Sequence, residues 1–124
     1  MRRAGISAAV LLTILVAACG TGERPSPRSG FEIYAANCAS YHGDVATGDG
    51  AIDGTPIHGP AGHTWHHPDG QLVDIILGRN PSSGRTMPVF ADTLTDQEVE
   101  TVLAYLKTGW APRQLEVQKG IRSR

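Results

Sequence analysis

Between Gly43 and Pro68 the chain carries Gly43, Gly48, Gly50, Gly54, Gly59 and Gly62, together with Pro56 and Pro60. Glycine and proline at this density read as loop. A loop this long inside a compact domain is normally functional or disordered. It constrains the fold more than any helix does, because a small domain has to wrap such a stretch around something. A large rigid ligand would explain it.

Helix signals appear three times around that loop, and strand signals are poor. Phe31, Tyr34, Ala35 and Cys38 recur at i, i+3, i+4 and i+7, one helical face, with Ser29 or Gly30 placed to cap it. This spacing predicts Cys38 at the end of an apolar stripe that faces the core. A second helix is predicted from Asp69, read as its N-cap, through Leu72, Ile75 and Ile76 to a stop at Gly78. The third is the clearest: Thr95 and Glu98 have capping-box spacing, and Leu94 can staple onto Val99. Val99, Val102, Leu103 and Leu106 then form one stripe, and Gly109 ends it. A second irregular stretch, Arg79 to Thr93, holds Met87-Pro88. The expectation is an all-α domain over 30–110, roughly 80 residues, a size that is marginal without a staple, metal or cofactor.

The ends of the chain read differently. Arg2 and Arg3 lead into an apolar run, Ile6 to Ala18, too short for a membrane span. A basic start, a short apolar stretch and small residues before a break describe an export signal over 1–18. The break, V-A-A-C at Val16 to Cys19, resembles a bacterial lipobox, which predicts lipidation of Cys19 and a membrane anchor there. Residues 19–29, with E-R-P-S-P-R-S at Glu23 to Ser29, read as a flexible tether. Residues 111–124 hold Arg113, Lys119, Arg122 and Arg124 and read as a polar, basic, solvated tail. Eleven Lys and Arg stand against twelve Asp and Glu, so without Arg2 and Arg3 nine face twelve, a formal charge of −3. No basic patch points to nucleic acid. With Cys19 at a processing site, Cys38 has no partner left for a disulfide inside the mature chain.

Cys38 lies in N-C-A-S-Y-H-G, Asn37 to Gly43. With cysteine at position 41 the stretch would be the C-x-x-C-H signature of c-type haem attachment. Tyr41 occupies that position instead, and a phenol makes no thioether with a vinyl group.

An amphipathic helix, Cys-x-x-x-His, a glycine-rich loop, a second helix, Met-Pro and a terminal amphipathic helix follow in that order. This order resembles the small monohaem class I cytochromes c, over most of the exported domain. G-D-G at Gly48 to Gly50, H-T-W-H-H-P-D-G at His63 to Gly70 and M-P-V-F at Met87 to Phe90 are similar as well. The resemblance implies three main helices around one haem, with long irregular loops. It implies haem c held by a single thioether at Cys38, with His42 and Met87 as the axial ligands of the iron. A thiol near a histidine brings the iron close to that imidazole, and a distant thioether closes the opposite face. Such a filled coordination sphere suits electron transfer. The carbonyl of Pro56 or of Pro60 is available to the far nitrogen of His42. Two residues depart from the family pattern: Tyr41 for the second cysteine, and Ala46 where another glycine is common.

The implied protein is an electron carrier, exported and lipid-anchored, facing the periplasm or the cell exterior. Its partners would be redox proteins of an envelope electron-transfer chain. An alternative of another class is a degenerate cytochrome fold that has lost covalent haem and acts as an interaction module. His58, His63, His66 and His67 raise a third reading, a zinc or copper carrier, but the adjacent His66 and His67 point apart and no thiol or carboxylate completes a shell. Trp65 and one histidine are expected near the haem edge. No Ser-His-Asp arrangement, paired carboxylates or phosphate loop supports an enzyme.

Overall fold

The computed structural model describes residues 26–79 and 87–122. The export signal, Cys19 and most of the tether lie outside the described residues. The described chain is helical, in the order α1 (Gly30–Asn37), α2 (Ala39–His42), a 3-10 turn (Thr64–His66), α3 (Asp69–Ile76), α4 (Asp96–Thr108) and α5 (Pro112–Arg122), and it contains no strand.

Two capping boxes start the helices that matter most. The Ser29 hydroxyl accepts from the Glu32 amide, and the Glu32 carboxylate accepts from the Ser29 amide at 2.7 Å. Thr95 and Glu98 repeat this at α4, as their spacing predicts. Each box satisfies amides that a helix start leaves without partners. The Arg28 guanidinium bonds Glu98 as well, so the chain entering α1 is tied to the start of α4.

α1 packs across α4 on a face the hydropathy pattern does not show. Ile33 and Tyr34 are buried, whereas Phe31 is 61% exposed and Ala35 is exposed. The expected stripe of Phe31, Tyr34, Ala35 and Cys38 is therefore corrected to Gly30, Ile33, Tyr34 and Asn37, with Cys38 half-buried beside it. Gly30 decides this. A Cβ there would stand 2.6 Å from Tyr105 Cβ and 2.5 Å from the Thr101 carbonyl oxygen. Only glycine lets the two helices approach so closely, and the contact point sets the roll of α1.

Val99, Val102, Leu103 and Leu106 are buried on α4 with Leu94, as their spacing predicts. Ile33, Tyr34, Val45, Leu72 and Leu77 complete that core. Fully burying side chains of this size contributes roughly 1.5–3 kcal/mol each.

The N-cap of α3 is Pro68, not Asp69. Asp69 is the first helical residue, and its carboxylate receives Lys107 Nζ at 2.8 Å and Gln118 Nε2 at 2.9 Å. It joins α3 to α4 and α5, which is why it does not cap. Gly78 stops the helix with φ of 72°, a left-handed value that favours glycine.

Residues read as a solvated tail form α5. Its buried positions are Gln114 and Gln118, whose amides donate to the Pro60 and His67 carbonyls at 2.9 and 3.1 Å. α5 thereby straps the far end of the long loop.

Candidate functional site

Cys38 ends α1 and begins the single turn of α2. Its φ of −121° breaks the helix there, and the His42 amide bonds the Cys38 carbonyl at 2.9 Å. Cys38 and His42 therefore sit one helical turn apart on one face. Cys38 is half-buried and packs against the core, and that burial pushes its thiol up to about 11. Tyr41, in the same turn, is 51% exposed.

The glycine-rich loop folds back on this turn. Gly43 has φ of 68°, and a Cβ on it would meet the amide nitrogen of Ala51 at 2.6 Å. The Gly43 carbonyl accepts from the buried Tyr34 hydroxyl at 2.9 Å. Asp44 Oδ1 accepts from the Ala46 and Thr47 amides, which holds its carboxyl below the usual range and tightens the turn. The Ile52 amide then bonds the Tyr41 carbonyl at 2.9 Å.

This path delivers Pro56 to His42. His42 is buried, and its Nδ1 lies 2.7 Å from the Pro56 carbonyl oxygen. A carbonyl only accepts, so Nδ1 carries the proton. In the neutral ring Nε2 is left as a lone pair, the arrangement of a metal-ligating imidazole. Of the two prolines weighed, Pro56 makes this bond. Pro60 instead accepts from Gln114.

His58 also reaches the site. Its ring centroid is 4.3 Å from that of His42, with the planes 33° apart. Its Nδ1 is 2.9 Å from Thr64 Oγ1, and its carbonyl accepts from Trp110 Nε1 at 2.7 Å. Burial, then the neighbouring His42, lower its pKa to about 4. Sequence reasoning passed over this role, because nothing in spacing separates His58 from the other loop histidines. Trp65 stacks on His66 at 3.6 Å and donates to the Gly62 carbonyl. No three His, Cys, Asp or Glu side chains converge on a metal position among the described residues.

Met87 is half-buried on an irregular segment after α3 whose Pro88 and Val89 are exposed and whose Phe90 amide bonds the Ile76 carbonyl at 3.1 Å. Phe90, Ile76 and Cys38 all pack against the same core. The two segments thus border one apolar cluster. A cavity between α3 and α4, lined by Asp69, Val73, Asp74, Arg79, Glu100 and Lys107, includes none of Cys38, Tyr41, His42 or Met87.

The donor set fits a haem: a thiol and an imidazole one turn apart, the imidazole's other nitrogen already satisfied, and uncovered apolar side chains at Tyr41 and Ile52. Residues 25–106 match the family model described as cytochrome C oxidase, cbb3-type, subunit III. The chain belongs to that family. The match takes in Cys38, His42, Pro56 and Met87 and stops within α4. The all-helical architecture is that of a small cytochrome c domain, and membership supports haem binding and electron transfer. No curated protein and no solved structure matches the chain.

Proposed function

We propose that this cbb3-type subunit III family member is an exported, lipid-anchored electron carrier. One haem c would be held by a single thioether at Cys38, with His42 and Met87 as axial ligands. Its partners would be redox proteins of an envelope electron-transfer chain, and Cys19 would carry the anchor.

The observation that carries this reading is the His42–Pro56 bond. A buried imidazole with Nδ1 tied to a carbonyl at 2.7 Å presents Nε2 in one direction. Bound haem would supply a one-electron ferric–ferrous couple. The chain's own residues then do the following. Pro56 holds the His42 tautomer and raises its basicity as a ligand. Cys38, one turn away, tethers the cofactor so that loss from the iron does not become loss from the protein. The Met87 thioether favours the reduced iron and raises the potential. Val45, Leu72 and the α4 stripe keep water from the apolar side of the domain.

Tyr41 favours the second reading, an interaction module without covalent haem, because it removes one of the two expected attachment thiols. Expression with a c-type maturation system separates the two. The expected result is one haem retained by intact mass after acidic acetone extraction, with a pyridine haemochrome band between the b-type and c-type positions. Cys38→Ala should release the haem to extraction. Protein without any Soret band would overturn the carrier reading in favour of the module.

A further inference from the structure

His42 needs more than one constraint if it is to keep a fixed ring plane. The Pro56 carbonyl fixes where Nδ1 points, and leaves the ring free to roll about that line. A second covalent bond at position 41 would limit the turn that carries His42, and Tyr41 does not provide it.

We infer that His58 is a positioning residue for His42, a flat wall that sets the plane of the candidate iron-ligating ring. This rests on the proposed haem ligation. The two rings lie 4.3 Å apart and 33° from parallel, so a roll of His42 toward His58 is blocked. The wall is itself held at three places. Thr64 Oγ1 meets His58 Nδ1 at 2.9 Å, and Thr64 is buried. Trp110 Nε1, from beyond α4, bonds the His58 carbonyl at 2.7 Å. Gly59 is buried, and a Cβ there would collide with the Ala46 carbonyl, so the backbone beside His58 packs directly on that of Ala46. Tyr34 covers it edge-on, with ring centroids 6.2 Å apart. A side chain present only to fill space would not need an imidazole here, because burying one costs more than burying a leucine.

The test uses the full chain with two readouts. In the haem-loaded ferric protein, the order of the hyperfine-shifted haem methyl resonances reads the angle of the axial imidazole plane. In the haem-free protein, carbon-13 relaxation of the His42 ring reads how freely that ring moves. His58→Ala should reorder the methyl resonances and raise the mobility of the His42 ring, with the Nδ1–H tautomer still held by Pro56. His58→Phe restores a flat face and should keep the wild-type pattern, whereas His58→Leu should not. Thr64→Val leaves the wall but frees it, and should move the pattern in the His58→Ala direction by less. It decides the matter if His58→Ala fails to fold. An unchanged pattern in His58→Ala, equal shifts in the Phe and Leu variants, or no shift in Thr64→Val would overturn the inference. A wild-type chain that takes up no haem would overturn the proposed function instead, and the His42 ring mobility would still judge His58.

Discussion

His42 Nδ1 donates to the carbonyl oxygen of Pro56 at 2.7 Å, across fourteen residues of glycine-rich loop. The loop that looks unstructured in the sequence is thus held to the helix turn it leaves. Its path is set by Gly43, by the Asp44 turn and by the return of Ile52 to the Tyr41 carbonyl.

Tyr41→Cys should complete the attachment motif. Tyr41 is half exposed, so its loss leaves no cavity in the core. The expected outcome is a pyridine haemochrome band moved fully to the c-type position and a higher melting temperature for the haem-loaded protein. An unchanged band would show that position 41 does not face a vinyl group.

Gly30→Ala should destabilise the domain by about 1–3 kcal/mol, the range for overpacking a tight contact. The added methyl would press on Tyr105 Cβ and the Thr101 carbonyl, neither of which is the end of a flexible side chain. Urea denaturation of the wild type and variant measures the difference. Ala35→Ser, on the exposed face of the same helix, should be nearly neutral.

Gln118→Leu should cost about 1–3 kcal/mol, because Gln118 is buried and both the His67 carbonyl and the Asp69 carboxylate lose its amide donor. The same experiment tests α5. If 111–124 were a solvated tail, neither this change nor removal of the segment would alter thermal unfolding. Both are expected to lower the melting temperature.

Acid should weaken the helix starts. The Thr95 amide, then the Arg28 guanidinium, hold the Glu98 carboxyl below its ordinary value of 4.5. The Ser29 hydroxyl and amide do the same for Glu32. A carboxyl depressed in the folded state stabilises it above the unfolded value, and that contribution is lost as pH falls through the folded value. The buried neutral His58 should lower the melting temperature from about pH 6.5 to about 4, as the unfolded ring takes up a proton that the folded one refuses, and the two carboxylates should add a decline below about 4.5. Glu98→Gln should flatten part of that decline, and a decline unchanged in the variant would refute the assignment.

Much of this was legible in the sequence where the signal is local. The capping box at Thr95 and Glu98 and the stripe from Val99 to Leu106 need only helical geometry, and both appear as read. The spacing of Cys38 and His42 is likewise local, and one helical turn carries it through to the structure. Gly78 stops α3 because its left-handed φ is a property of one residue. What failed was whatever depended on a distant partner. α1 rolled to the face set by Gly30, since a close backbone approach has no hydropathy. α5 stayed hidden because its inward face is Gln114 and Gln118, which are buried only where loop carbonyls accept from them. Asp69 reads as a cap until Lys107 and Gln118 arrive from other helices. The chain alone determined that a thiol and an imidazole share one turn beside a long loop. Tertiary structure decided which carbonyl orients that imidazole and that His58 lies against it, because both contacts depend on where the loop returns.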